Sequence, residues 1–280
     1  MRAVQGSVLR SVGTVRNYEA ALTRVAEWAK SEKITGGLTA ITPEQAVAYL
    51  EQRGQEVGQK TLDMERQAMQ VMMQHVTQQL PLGEPLPVVR SEQQQALESR
   101  AYTAAQVERI AAAQTPRYAL ATEIAFAAGL RAHELLTLQP QAERTADPRP
   151  ALESKFAGRD GEIYTVAGKG GLVREVLIPH ELAAQLEARR LETPLQVTDR
   201  GIYYQSHYDI GGGQRWSNSV SAAADRTLGW STGAHGLRHS YAQERMTELQ
   251  NRGLTREQAL ETVSQELGHF RPEITEVYLR

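Results

Sequence analysis

The run LPLGEPLPVV at residues 80–89 places Pro81, Pro85 and Pro87 around Gly83. Proline lacks a backbone donor and clashes with the preceding helical turn, so neither a helix interior nor a central strand passes through such a run. The chain is thereby constrained to fold as separate parts on either side of it. The predicted organisation is a helical domain over 1–85, a linker over 86–99 lengthened by the polar run Ser91 to Gln95, and a second domain over 100–280. With 280 residues in all, each part is long enough to bury its own core.

Helical periodicity dominates the first part. Val15, Tyr18, Leu22, Val25, Ala26 and Trp28 recur at mostly helical spacing over 14–29. Thr42, Pro43 and Gln45 form a capping box with proline at the first helical position, ahead of Ala46, Val47, Tyr49 and Leu50. A third helix is predicted from about Gln59 to Gln79, with Leu62, Met69, Val71, Met72 and Val76 as its apolar stripe. Methionine fills irregular space well, so the cluster reads as core of a small bundle.

The second part is predicted to open with a capped helix from Thr103, followed by an apolar helix over 117–128 that Gly129 closes. RAHELLTL reads as a restarted helix with Leu135, Leu136 and Leu138 inward. The period then changes. Ile163, Tyr164 and Val166 precede Gly-Lys-Gly-Gly, and Val173, Val176 and Ile178 follow it, which predicts a β-hairpin. Further helices are expected over 180–190, 217–228, 237–250 and 256–267, and the triple glycine at 211–213 reads as a flexible connection. The stretch NRGLTREQALETVSQ reads as added helix length. The fold class is therefore mainly α: a helical-bundle N-terminal domain plus an α-rich domain with a small antiparallel sheet.

Composition narrows the chemistry. The chain has no cysteine, which removes disulfides, thiolate metal sites and cysteine nucleophiles and suits a reducing compartment. The start MRAVQGSVLRSVG lacks the apolar core of a signal peptide, so a soluble, cytoplasmic protein without membrane contact is expected. Lys and Arg total 31 against 33 Asp and Glu. That balance argues at first against a nucleic-acid binder, but phosphate neutralisation is local, so the position of each charge matters more than the sum.

Arg131 emerges just after the turn at Gly129, where its fork of donors suits a phosphate or pairs with Glu134 three residues on. HGLRH brings His235 and Arg238 to one helix start, a place that favours anions. His235 and His239 are also four apart, which is metal-ligand spacing, yet no acidic residue completes an HExxH pattern. His239 alone reads as a packing residue. Lys169 sits at the hairpin tip, and LGHFRPEITEVYLR supplies His269 and Tyr278.

Arg131 in GLRAHELLTL, Lys169 in GKGG, His235 and Arg238 in HGLRHSYA, His269 in LGH and Tyr278 nine residues later resemble the signature of the tyrosine recombinases, the family of phage and mobile-element integrases. The motifs span about 100–280, and the helical part before them is similar in kind to that family's core-binding domain. The resemblance implies site-specific cleavage and rejoining of DNA through a covalent 3′-phosphotyrosine, without metal, ATP or other cofactor. It implies Tyr278 as nucleophile, with Arg131 and Arg238 on the non-bridging oxygens. His235 becomes the acid/base and His269 a donor to the phosphate; Lys169 protonates the leaving 5′ oxygen, and Glu134 supports from behind. The implied partners are duplex DNA recombination sites, a tetramer of the chain on paired sites and an accessory DNA-bending protein, with the protein associated with the nucleoid. Only Leu279 and Arg280 follow Tyr278, where many members continue into a tail docked on a neighbouring subunit, so the resemblance leaves the subunit interface open.

Arg16, Arg24, Arg53, Lys60 and Arg66 are the DNA-facing candidates of the first domain. The expected surface is uneven, with a basic channel and with Glu187, Glu257 and Glu261 facing away. Two other classes stay open: a catalytically inactive DNA-binding regulatory or architectural protein of the same fold, and a metallohydrolase using His235, His239 and His269. Topoisomerase-like relaxation shares the chemistry of the first reading.

Overall fold

A computed structural model describes residues 4–9, 12–94, 98–168 and 170–280. The chain divides into two compact units, 1–97 and 98–280. Among the described residues no helix is long and apolar enough to cross a membrane.

The first unit is built on α1 (Val12–Ser31), α2 (Pro43–Gly54) and α3 (Gln59–His75). Helix α1 buries Val15, Tyr18, Ala21, Leu22, Val25 and Ala29, one stripe at helical spacing. Thr42 and Gln45 satisfy each other's backbone N–H groups at the start of α2. Met69, Met72 and Met73 on α3 lie in the core these helices share. A carboxylate is buried there as well: Glu65 accepts a 2.8 Å bond from Tyr49 Oη and one of 3.3 Å from Arg53 Nε, with Arg24 Nη1 at 3.6 Å.

The proline-rich stretch read as a linker from residue 86 is held against this bundle over its first part. Leu80 and Leu86 are buried in the core of the first unit. Gln70 and Arg66 on α3 bond the N–H and carbonyl of Leu86, and Gln59 does the same for Ser91 N–H and the Val89 carbonyl. Extended chain without a strand partner leaves its backbone groups unpaired, and long side chains of α3 satisfy them.

In the second unit, α4 (Ala104–Ala112) and α5 (Pro116–Ala128) lead to a 3-10 turn at Glu134–Thr137. The helix expected in RAHELLTL is thus only that turn, although Leu135, Leu136 and Leu138 are buried as read. Strands β1 (Gln139–Pro140), β2 (Glu162–Ala167) and β3 (Val173–Ile178) form an antiparallel sheet in that order, with Val166 opposite Arg174. Helix α6 (His180–Glu187) stops earlier than expected, because the chain turns into a second hairpin, β4 (Arg190–Asp199) and β5 (Ile202–Tyr208). Helices α7 (Gly213–Leu228), α8 (His235–Asn251), α9 (Arg256–Glu266) and α10 (Pro272–Thr275) follow, and a last 3-10 turn covers Glu276–Leu279. The separate helices expected over 237–250 and 256–267 are present, with Gly253 at φ 95° in the break and Thr255 capping α9 with Gln258, so NRGLTREQALETVSQ adds no length to a single helix. Trp216, Ile124, Val166 and Leu237 lie in the main core of this unit, and a second cluster gathers α8, α9 and Tyr278.

Candidate active site

Helix α5 ends because Gly129 adopts φ 61°, and no side chain fits at that position: a Cβ there would lie 2.8 Å from the Tyr241 ring and 2.9 Å from Leu267. The reversal delivers Arg131. Its main-chain N–H and Nη1 donate to the two oxygens of Glu134, at 2.8 and 2.7 Å. Glu134 is wholly buried, and Arg174 Nη2 reaches it at 2.8 Å while Arg238 Nη1 stands 4.0 Å away. Burial alone would raise its pKa, but Arg174, Arg238 and Arg131 outweigh it and hold the carboxyl well below the usual carboxylate range. Three guanidinium groups surrounding one carboxylate leave the cluster cationic.

Arg238 lies on the first turn of α8 and has no exposed surface. It donates to the carbonyls of Gly129 and Leu267, the first at the end of α5 and the second just past α9, so one side chain ties three helices. Its Nη2 also meets His269 Nε2 at 3.0 Å, and His269 Nδ1 meets Thr275 Oγ1 at 3.0 Å. Arginine only donates, so Nε2 is the acceptor and the ring proton sits on Nδ1, donated to Thr275. The donor role to phosphate implied for His269 is therefore not the one its Nε2 plays in this state. Arg238 Nε is buried without a hydrogen-bond partner among the described residues.

Tyr278 is buried on the final 3-10 turn, and its ring is ringed in turn by histidines. The centroids of His239, His269 and His235 lie 4.8, 5.1 and 5.2 Å away, and the Arg238 guanidinium carbon stands 5.5 Å from the tyrosine ring. Burial and the field of Arg238, Arg131 and Arg174 push His269 down to about 3. The same two causes, burial and then Arg238, bring His235 down to about 4, although the residue is exposed. Solvent screening makes the His235 depression the weaker constraint. Both rings are neutral at neutral pH; the His269 lone pair is engaged by Arg238, so of the two His235 is the ring able to accept a proton.

The structure thus brings together Arg131, Glu134, His235, Arg238, His269 and Tyr278. Lys169 lies outside the described residues, while Gly168 before it stands against the pair: a Cβ there would be 3.4 Å from Glu134 Oε1 and 4.0 Å from Arg131 Nη1. The first-unit candidates are placed in that unit by itself. Arg16 and Lys60 are exposed, Arg24 and Arg53 bracket Glu65, and Arg66 holds Leu86. Glu187, expected to face away, is exposed and accepts hydrogen bonds from Tyr164 and Tyr208. Arg174 escaped the sequence reading, and its signal was a charged residue in register with Val176 and Ile178 on the inward face of a strand. His239, read as packing, has the ring nearest to Tyr278. Among the described residues no three His, Asp or Glu side chains are grouped to hold a metal.

No family model and no curated protein matches the chain. Solved structures do. The XerH site-specific recombinase bound to difH substrate in a pre-cleavage complex superposes with a TM-score of 0.56 at 17% identity, over 95% of this chain and 75% of that one. The Tn1549 transposon integrase in complex with transposon right end DNA gives 0.58 at 13%, over 100% and 92%. A lambda integrase dimer bound to a COC′ core site gives 0.59 at 15%, over 100% and 73%. The chain has the mainly α fold of the tyrosine recombinases.

Proposed function

We propose that this chain is a site-specific DNA recombinase or integrase that cleaves and rejoins strands through a 3′-phosphotyrosine on Tyr278. The observation that carries the reading is the enclosure of the Tyr278 ring by His235, His239 and His269, with Arg238 at 5.5 Å, within this fold.

In the forward step Tyr278 Oη attacks the phosphorus, an O–P bond forms, and the bond from phosphorus to the 5′ oxygen breaks. The tyrosine proton passes to neutral His235, and the leaving 5′ oxygen takes a proton from Lys169. Bond energy is kept in the phosphotyrosine, so attack by another 5′ hydroxyl reverses the step. Arg131, held by Glu134 through Nη1, and Arg238 meet the charge that grows on the non-bridging oxygens, an effect of about 3 kcal/mol or more for one well-placed donor. Arg238 Nε, without a partner among the described residues, is a donor left for such an oxygen, since a buried guanidinium N–H without an acceptor is otherwise a loss. An arriving phosphate also offsets the cationic field on His269, and so makes a protonated, donating His269 accessible.

The chosen substrates are duplex recombination sites, bound by self-association on paired sites with an accessory DNA-bending protein. Cytoplasmic, nucleoid-associated action accords with this role. One observation favours the second reading, an inactive DNA-binding protein of the same fold: in this state Arg238 is spent on two backbone carbonyls and His269. Nicked duplexes cut from the DNA flanking the gene, chosen for inverted repeats around a short spacer, separate the two. Recombinase activity gives a detergent-resistant protein–DNA adduct that Tyr278→Phe abolishes; the second reading gives binding without adduct in either protein.

A further inference from the structure

We infer that Arg174 is a positioning residue on which the phosphate-binding groups depend, setting Arg131 through Glu134 and the His269 turn through Gly268; this rests on the site reading above. Arg174 projects from β3 on the same side as buried Val176 and Ile178 and is itself buried. A guanidinium is an unusual occupant of such a register unless its fork is used. Here both ends are used: Nη2 donates to Glu134 Oε2 at 2.8 Å, and Nη1 donates to the Glu266 carbonyl at 2.6 Å.

The first bond fixes a carboxylate that has two other suitors. Glu134 Oε1 holds Arg131 Nη1 at 2.7 Å, while Arg238 Nη1 stands 4.0 Å from Oε2. Arg174 Nη2 and the Arg131 main-chain N–H together anchor Oε2, and the remaining oxygen faces the Arg131 guanidinium and orients it. Without Arg174 the main-chain N–H alone opposes the pull of buried Arg238 on the anion, and the guide for Arg131 is loosened.

The second bond and the stem of Arg174 act on the turn that carries His269. Gly268 takes φ 70°, and a Cβ on it would lie 2.5 Å from Arg174 Cδ and 3.1 Å from Nε. The arginine stem therefore lies flat on the Gly268 backbone, next to His269, while its head pins the carbonyl at the end of α9. The glycine of LGH is required from both sides: by its positive φ and by the arginine beneath it. Lysine keeps the charge of Arg174 but is a single point donor, unable to bridge Glu134 and the Glu266 carbonyl with the same planar fork.

The test uses the full chain, inorganic phosphate as probe, and NMR of the His235 and His269 ring carbons. Wild-type protein is expected to shift both resonances saturably with phosphate. Arg174→Gln is expected to weaken that binding by roughly tenfold, the equivalent of one misaligned charge-assisted hydrogen bond, with Arg174→Lys in between and Arg131→Lys matching the glutamine variant. The His269 resonance without phosphate is expected to move in Arg174→Gln and to return toward wild type in Arg174→Lys, a recovery that lost packing alone does not give. A cooperatively folded Arg174→Gln that binds phosphate like wild type overturns the inference and leaves the site reading intact. If the glutamine variant does not fold, wild-type affinity in Arg174→Lys overturns it instead. A wild-type protein that shows no phosphate response overturns the site reading, and this inference with it.

Discussion

His269 shows how strongly single residues in this site are tuned. Its depression to about 3, from an ordinary 6.5, comes first from burial and then from Arg238, Arg131 and Arg174. A histidine whose folded pKa lies below its unfolded value favours the neutral form on folding. Its contribution is therefore complete above about pH 6.5, and stability falls by up to ~1.4 kcal/mol per pH unit as the pH drops from there toward 3. Glu134 acts in the same direction at lower pH, since its depressed carboxyl stabilises above its unfolded value of 4.5 and that support is lost as the pH falls. Urea unfolding across pH 3 to 7 is expected to show this decline, and ring-carbon NMR is expected to find His269 neutral throughout most of that range. Added phosphate is expected to raise its midpoint, because the anion cancels part of the cationic field. A His269 midpoint near 6.5 in the free protein contradicts the packed cationic site.

At the scale of elements, the site depends on how two helices end. Gly129 closes α5 and Gly268 follows α9, both at positive φ, and the Gly129 carbonyl is one of the groups that fixes Arg238. Gly129→Ala combines a left-handed backbone with a Cβ 2.8 Å from the Tyr241 ring. It is expected to lower stability by more than ~1 kcal/mol, measured by urea unfolding, and to reduce phosphate binding in the fraction that remains folded. A variant with unchanged stability and binding contradicts the role given to this turn. Such endings are legible in sequence, because a capping box or a stop glycine is a local rule: Thr42, Thr103 and Gly129 all mark the boundaries they suggest. Elements set by tertiary packing are less so. The 3-10 turn at Glu134–Thr137 has a helical apolar pattern, but Glu134 is drawn in by Arg131, Arg174 and Arg238, and the chain passes straight into β1. The β4–β5 hairpin was missed because much of it is exposed, Leu195 and Tyr203 included, so no alternation of buried and polar residues announces it. Arg174 was missed for the reverse reason: a lone charge inside an apolar strand has meaning only once its partners, 40 and 92 residues away, are in place.

For the whole molecule, a formal charge of −2 says little about binding. Many surface and core cations are already paired, Arg53 with Glu56 and Glu65 and Arg159 with Glu248, while Arg131, Arg174 and Arg238 share the single carboxylate Glu134. Three cations on one carboxylate leave a local positive excess beside Tyr278 that the sum of the chain does not reveal. Binding to a random-sequence duplex is expected to weaken linearly in log–log form with salt, as counterions are released from each neutralised phosphate. Salt-independent binding contradicts a phosphate-contacting surface. The most direct test of the central claim is the covalent bond itself. Wild-type protein incubated with nicked duplexes from its gene's flanking DNA, denatured, digested with protease and read by mass spectrometry, is expected to give a nucleotide adduct on the peptide containing Tyr278, absent in Tyr278→Phe. Specific binding to those duplexes with no adduct on Tyr278, or an adduct that survives Tyr278→Phe, contradicts the account.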